Sequence, residues 1–124
     1  MPATACEMRI GRQEFLKLSS VLKQIRTHLP ERQVFIVVEP EKVSSCRYAK
    51  DLQAVFADAR WNPEPTIIDR GKELIERGVW FYGLENDKDA QEFSEALKTP
   101  ARQEIQYKEN ENPSVNAWEF YIKD

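Results

Sequence analysis

The sequence predicts an α/β domain of three layers, in which helices cover both faces of a mostly parallel sheet of about five strands. Stretches with the apolar period of a helix alternate along the chain with stretches typical of strands. Residues 34–38 are continuously apolar, as in a strand buried on both faces. The chain has 124 residues, the usual length of one domain. We therefore expect one α/β domain over 12–124, preceded by a flexible tail over 1–11.

The first half of the domain is predicted to contain two helices around a strand. A helix is expected over 13–29, where apolar residues recur every three or four positions. They are Phe15, Leu18, Leu22, Ile25 and Leu29. A strand over 33–38 ends before Pro40, since proline cannot continue a ladder. The second helix is expected over 45–60, with Ser44 or Ser45 as its N-cap.

The second half is predicted to contain four strands and one long helix. Short strands are expected at 66–68, 79–82 and 104–107, with a turn or two of helix within 70–77. A helix over 87–98 begins at Asp87, a typical N-cap. Apolar and polar residues alternate over 117–123, as in a strand with one covered face. We expect the strands at 33–38 and 79–82 to be central, and the last strand to be antiparallel and near an edge.

Composition excludes several classes of function. The 18 basic and 21 acidic residues give a net charge of −3, which offers no general attraction to nucleic acid. The longest apolar run is far shorter than the ~18 residues that a membrane-spanning helix needs. The two cysteines, Cys6 and Cys46, are not in a CxxC pair and do not form a disulfide framework. This favours a reducing compartment, and we expect a cytoplasmic protein.

Several stretches occur in an order that resembles a known family. They are Val34-Phe35-Ile36-Val37-Val38, Tyr48-Ala49-Lys50-Asp51-Leu52, Asp58-Ala59-Arg60-Trp61, Gly78-Val79-Trp80-Phe81 and the helix at 90–97. This order resembles a bacterial α/β domain family of unknown function, over roughly 15–123. The family usually has glycine where this chain has Arg60. The resemblance implies the fold and no catalytic residues. It also implies, as an alternative location, a soluble domain of a membrane-tethered protein.

Acidic residues follow the two strands that we expect to be central. Glu39 and Glu41 come after the first, and Glu85 and Asp87 come after the second. Carboxyl ends of parallel strands meet at one edge, so these carboxylates could converge on a divalent cation. The interpretation that we favour is that they cap helix N-termini and keep the edge solvated. Phosphate-binding glycine motifs are missing from the sequence, so we predict no cofactor.

Catalytic constellations are not predicted. Cys46 lies at the start of the second helix, where a thiolate would be stabilised, but the sole histidine, His28, is distant in sequence. We interpret Cys46 as a small buried residue and His28 as a surface or capping residue. A serine on a GxSxG turn is absent as well.

Aromatic residues cluster in two predicted strands, at 80–82 and at 118, 120 and 121. Helices on both faces could bury them all. Alternatively, Tyr82, Trp118 and Tyr121 could form an exposed surface for a partner. We therefore predict a non-enzymatic binding or protein-interaction module, acting by self-association or with a protein partner. The alternative is a small sensor or enzyme that binds a metabolite or divalent metal at Glu39, Glu41, Glu85 and Asp87.

Overall fold

The computed structural model describes residues 4–29, 32–69, 76–98, 105–110 and 116–124. The helices in this part of the chain are α1 (Arg12–Arg26), α2 (Arg47–Asp58) and α3 (Lys88–Leu97). The strands are β1 (Gln33–Val38), β2 (Thr66–Asp69), β3 (Gly78–Gly83), β4 (Ile105–Glu109) and β5 (Ala117–Lys123). Each of these elements was predicted. The short helix predicted within 70–77 falls mostly outside the described residues, because 70–75 are not among them.

The five strands form one mixed sheet in the order β2-β1-β5-β3-β4. β1 runs parallel to β2 and β5, and β3 runs parallel to β4, while β3 and β5 are antiparallel. The predicted α/β class and mostly parallel sheet are therefore confirmed. The prediction that the last strand lies near an edge is wrong, because β5 is the middle strand. Its alternation reflects two differently covered faces at the centre of the sheet.

All three helices described here pack on one face of the sheet, so the predicted third layer is wrong for this part of the chain. α1 contacts both α2 and α3, and the buried residues of all three helices join one core. The reason lies in the two parallel units, β1-α2-β2 and β3-α3-β4. The strands of the two units run in opposite directions, and each unit extends from β5 towards a different edge of the sheet. Crossovers are almost always right-handed, so both units place their helices on the same face.

Aromatic rings fill the core between the helices and this first face of the sheet. The Phe81 and Phe120 rings stack with centroids 4.3 Å apart, and Phe93 of α3 meets both rings edge-on. We call the face that the helices cover the first face and the opposite one the second face. The apolar side chains that β1, β3 and β5 direct to the first face are at most 1% exposed. In β1, Val34, Ile36, Val37 and Val38 are buried as predicted, but Phe35 points to the second face and is partly exposed.

The described part of the predicted flexible tail packs against the domain, so that prediction is wrong for residues 4–11. A 3₁₀ turn at Ala5–Glu7 contacts α2 and β5, and Ala5 and Cys6 are buried. Cys6 and Cys46 form a disulfide, with their Cα atoms 4.5 Å apart. Sequence spacing could not reveal this pair, because the two residues are 40 positions apart and meet only through the fold.

The N-cap of α2 differs from the prediction. Cys46, rather than Ser44 or Ser45, occupies the N-cap position and makes no side-chain capping bond. At the other end, the Trp61 N–H donates to the Phe56 carbonyl and the Arg60 N–H to the Ala57 carbonyl, a Schellman arrangement. Arg60 therefore has a φ of 58°, a conformation that favours glycine.

Replacing Arg60 with glycine should stabilise the protein. Arg60→Gly removes the Cβ that is strained at positive φ, and we expect the free energy of unfolding to rise by about 0.5–1 kcal/mol. Urea denaturation measures it. Ala59→Gly is the matched control, because Ala59 has a φ of −77° and glycine should lower stability there. A loss of stability in Arg60→Gly would contradict the expected strain.

Candidate functional site

The acidic residues that were considered as an alternative metal or metabolite site do not converge, because they follow β1 and β3 at opposite ends of the sheet. β1 and β3 both pair with β5 but run in opposite directions, which separates their carboxyl ends. Glu39 accepts a hydrogen bond from the Asp124 N–H, whereas Asp87 lies at the start of α3. Glu41 and Glu85 are exposed. Within the described residues, no group of three or more metal-ligating side chains is placed to hold an ion.

Asp87 is a buried capping residue that ties α3 to the sheet. Its Oδ1 accepts from the Ala90 N–H at 2.9 Å, which caps α3 as predicted. Its Oδ2 accepts from the Leu84 N–H at 3.1 Å and from the Trp118 indole Nε1–H at 2.8 Å. The carboxylate is thus enclosed by protein donors, which is a structural role rather than a ligand site.

Trp118 therefore does not belong to an exposed surface, contrary to the prediction. Its side chain is fully buried on the first face, where it stacks on Trp61 at 5.3 Å and meets Phe81 edge-on at 5.5 Å. The hydrogen bond to Asp87 satisfies its only polar atom.

Four aromatic side chains lie together on the face opposite the helices, which we call the aromatic face. They are Phe35, Trp80, Tyr82 and Tyr121, and all are partly exposed. Strand register brings them together, because Tyr121 pairs with Trp80 of β3, and the next residue on this face, Glu119, pairs with Tyr82 of β3 and Phe35 of β1. The Tyr82 and Tyr121 rings lie 5.4 Å apart at 78°. The structure thus joins two of the three residues predicted for a partner surface.

Polar groups give the aromatic face its hydrogen-bonding chemistry. Glu119 is only 4% exposed although it lies among these rings. It accepts hydrogen bonds from the Tyr121 hydroxyl at 3.1 Å and from the Asn110 amide at 3.3 Å. At the β4 side, the Lys108 ammonium lies 4.8 Å from the centre of the Trp80 ring, a cation–π contact. The face therefore combines partly exposed rings with groups of both charges.

Sequence reasoning missed Phe35, Glu119 and Lys108 as members of this face. Phe35 was assigned to a strand buried on both faces, and Lys108 lies just beyond the strand predicted over 104–107. Glu119 carried a signal, since it is an acid between the aromatic residues Trp118 and Phe120 in a central strand. Its surroundings depend on register with β1 and β3, which the local sequence does not specify.

The sole histidine, His28, makes polar contacts that connect the end of α1 to the start of α3. His28 Nε2 lies 2.8 Å from Asp89 Oδ1, and its Nδ1 lies 3.5 Å from the Thr27 hydroxyl oxygen. The Thr27 hydroxyl donates to the Gln24 carbonyl at 2.7 Å, so its proton is held by the backbone of α1. These contacts are exposed and join the end of α1 to the start of α3, in line with the predicted surface role of His28.

No protein family, curated protein or solved structure matches this chain. The resemblance to the bacterial family of unknown function therefore stays a prediction. In the described part of the chain, the helices are all too short or too polar to cross a membrane.

The Tyr107 ring lies beside Phe81, on the helical face of the sheet, and the pKa of its phenol is strongly raised. Burial raises its pKa well above the usual value of 10.0, and the charges of Asp87 and Glu109 raise it further. Its hydroxyl is therefore protonated at neutral pH and makes no hydrogen bond among the described residues. It cannot serve as a general base, which requires a pKa near the working pH.

Proposed function

We propose that the protein is a non-enzymatic interaction module that binds a protein partner through the aromatic face. The observation that carries the proposal is the contrast between the two faces of one sheet. The helices cover the first face, whereas the four rings of the aromatic face, Phe35, Trp80, Tyr82 and Tyr121, are partly exposed. Tyrosine and tryptophan are enriched in the centres of protein interfaces, where their rings are buried and their polar atoms are paired.

A second copy of the chain is the partner that this face fits best. Its partly exposed rings can pack against the same rings of a second copy, and the exposed Lys108 ammonium can lie over one of those rings, so the face is self-complementary. Two-fold pairing brings the same patch of each subunit together and is the commonest form of self-association. The rings would gain aromatic contacts across the two-fold axis, in addition to those they already make within the sheet.

Self-association should depend on Tyr121. We expect the average mass of the wild-type protein to rise with concentration in light scattering, because the aromatic faces pair. Tyr121→Lys should remain monomeric over the same range, since it puts an ammonium where the rings must lose water. Tyr121→Phe keeps the ring and should still associate, which separates the ring from its hydrogen bond to Glu119.

A lysine on the helical side of the molecule is the matched control. Leu16 is 57% exposed on α1, so Leu16→Lys adds the same charge away from the aromatic face and should associate like the wild type. Circular dichroism would show that each variant is folded. A wild type that stays monomeric, or a Tyr121→Lys variant that associates as before, would overturn the proposal.

The Cys6–Cys46 disulfide is relevant to the cellular compartment of the protein. The expectation of a cytoplasmic location rested on interpreting Cys6 and Cys46 as free thiols, but they are paired in the structure. Disulfides persist mainly in oxidising compartments. We therefore favour an extracytoplasmic location, which is compatible with the alternative of a soluble domain of a membrane-tethered protein.

A further inference from the structure

Residues 4–10 form a strap that bridges two elements from distant parts of the sequence. The 3₁₀ turn at Ala5–Glu7 packs against α2 on one side and β5 on the other. Its covalent anchor is the disulfide between Cys6 and Cys46, whose residues are 3% and 0% exposed. Cys46 is also the N-cap of α2, so the strap is fixed to the first turn of that helix.

Among the described residues, the polar contacts of the strap go to Asp124 and Asp51. The Cys6 N–H donates to Asp124 Oδ1 at 2.7 Å, and the Ile10 N–H donates to Asp51 Oδ2 at 2.9 Å. Arg9 pairs with the same Asp51 oxygen at 3.0 Å, but its side chain is 62% exposed, so this ion pair contributes little. Met8 and Ile10 are only partly buried.

The Asp124 carboxylate accepts hydrogen bonds from two residues of the strap, Thr4 and Cys6. Partial burial alone would raise its pKa, but the hydrogen bonds from the Cys6 N–H and the Thr4 hydroxyl outweigh it. Lys42, at 3.2 Å, also favours the charged form, and the pKa of Asp124 is lowered below its usual value of 3.8. At neutral pH the carboxylate is therefore charged and holds the strap through the Cys6 backbone.

We propose that this strap is redox-controlled: it is docked in the disulfide form and released in the dithiol form. The co-reactant is a dithiol, which supplies two electrons and two protons. The S–S bond breaks, Cys6 and Cys46 become thiols, and the dithiol becomes a disulfide. The remaining polar contacts, with the apolar burial of Ala5, Met8 and Ile10, do not offset the conformational entropy of seven ordered residues. Release uncovers the first turn of α2 and the end of β5.

Most of the buried core lies outside the strap. The core between the helices and the sheet is built mostly from residues of α1, α2, α3 and the strands, to which the strap adds Ala5 and Cys6. Local opening of a segment with few buried contacts costs less than global unfolding. The proposal rests on the disulfide and its surroundings, independently of the aromatic face.

Hydrogen exchange with and without dithiothreitol tests the strap in the intact chain. Reduction should speed exchange in peptides covering 4–10 by at least about tenfold, while β1 and β5 keep their protection. Cys6→Ser, without reductant, should give the same pattern. Asp51→Asn is the matched control, because it weakens the Arg9 and Ile10 contacts but keeps the disulfide, and Cys6 should stay protected.

Two outcomes would overturn the proposal, once the mass gain of two hydrogens shows that reduction is complete. One is a strap that stays as protected in the dithiol form as in the disulfide form. The other is a simultaneous loss of protection in the strap, β1 and β5, which would make the disulfide a staple of the whole fold. Cys6→Ser must agree with the reduced wild type, and disagreement would equally count against redox control.

Discussion

Asp87→Ala should lower the free energy of unfolding by about 3–4 kcal/mol. The change removes the N-cap of α3, leaves the buried Trp118 indole N–H without an acceptor and takes the acceptor from the partly buried Leu84 N–H. Loss of a cap costs roughly 1 kcal/mol, and each buried donor without a partner costs about 1–3 kcal/mol. Urea denaturation of the two proteins measures the difference. A loss below about 1 kcal/mol would show that water replaces the carboxylate at this position.

A double-mutant cycle with Trp118→Phe isolates the Asp87–Trp118 bond. Phenylalanine removes the indole N–H, so the second change should cost less in the Asp87→Ala background than in the wild type. The coupling energy should reach about 1 kcal/mol or more, because the bond is buried and charge-assisted. Additive effects of the two substitutions would contradict the hydrogen bond. Asp87→Asn should fall between wild type and Asp87→Ala, since it keeps one acceptor oxygen.

Phe81→Ala should cost a comparable 3–5 kcal/mol, the range for large-to-small changes in a closed core. The Phe81 ring is fully buried, stacks on Phe120 at 4.3 Å and meets Phe93 edge-on at 6.0 Å. Its removal leaves a cavity at the contact between β3, β5 and α3. Thermal and urea denaturation would both report the loss.

Two matched variants show whether the position or the residue type matters. Phe81→Leu keeps most of the volume and should cost less than Phe81→Ala. Tyr82→Ala, one residue further along β3, removes a partly exposed ring from the aromatic face and should also cost less. An equal loss from Phe81→Ala and Tyr82→Ala would contradict the difference between the two faces.

The sequence was most informative about local elements. The limits predicted for β1 and β5 are those observed, because each is a short apolar or alternating run between clear turn residues. The helices were placed to within three residues at each end for the same reason, since proline or a capping residue lies near their ends. Asp87 was correctly identified as a cap from its position before an acidic first turn.

Strand order and layering could not be predicted in this way. The alternation in β5 shows that its two faces differ, but it does not say whether its neighbours are strands or solvent. Its position between β1 and β3 reverses one half of the sheet relative to the other. That reversal separates Glu39 from Asp87 and moves all the described helices to one face.

The predicted partner surface was only partly correct, because successive residues of a strand point to opposite faces. Trp118 and Tyr121 are three positions apart in β5, so they lie on opposite faces and could not both belong to one surface. The register with Trp80 and Tyr82 decides which of them joins the aromatic face. The Cys6–Cys46 pair was missed because residues 1–11 have little periodicity and were interpreted as a tail.

The central position of β5 also governs the order in which the chain can fold during synthesis. β1-α2-β2 and β3-α3-β4 are complete before residues 117–123 leave the ribosome, yet their strands are joined into one sheet only through β5. Until then β1 and β3 each present an unpaired inner edge, the kind of backbone that joins the strands of other chains. Until β5 has been synthesised, the nascent protein must therefore avoid pairing of the exposed edges of β1 and β3 with strands of other chains.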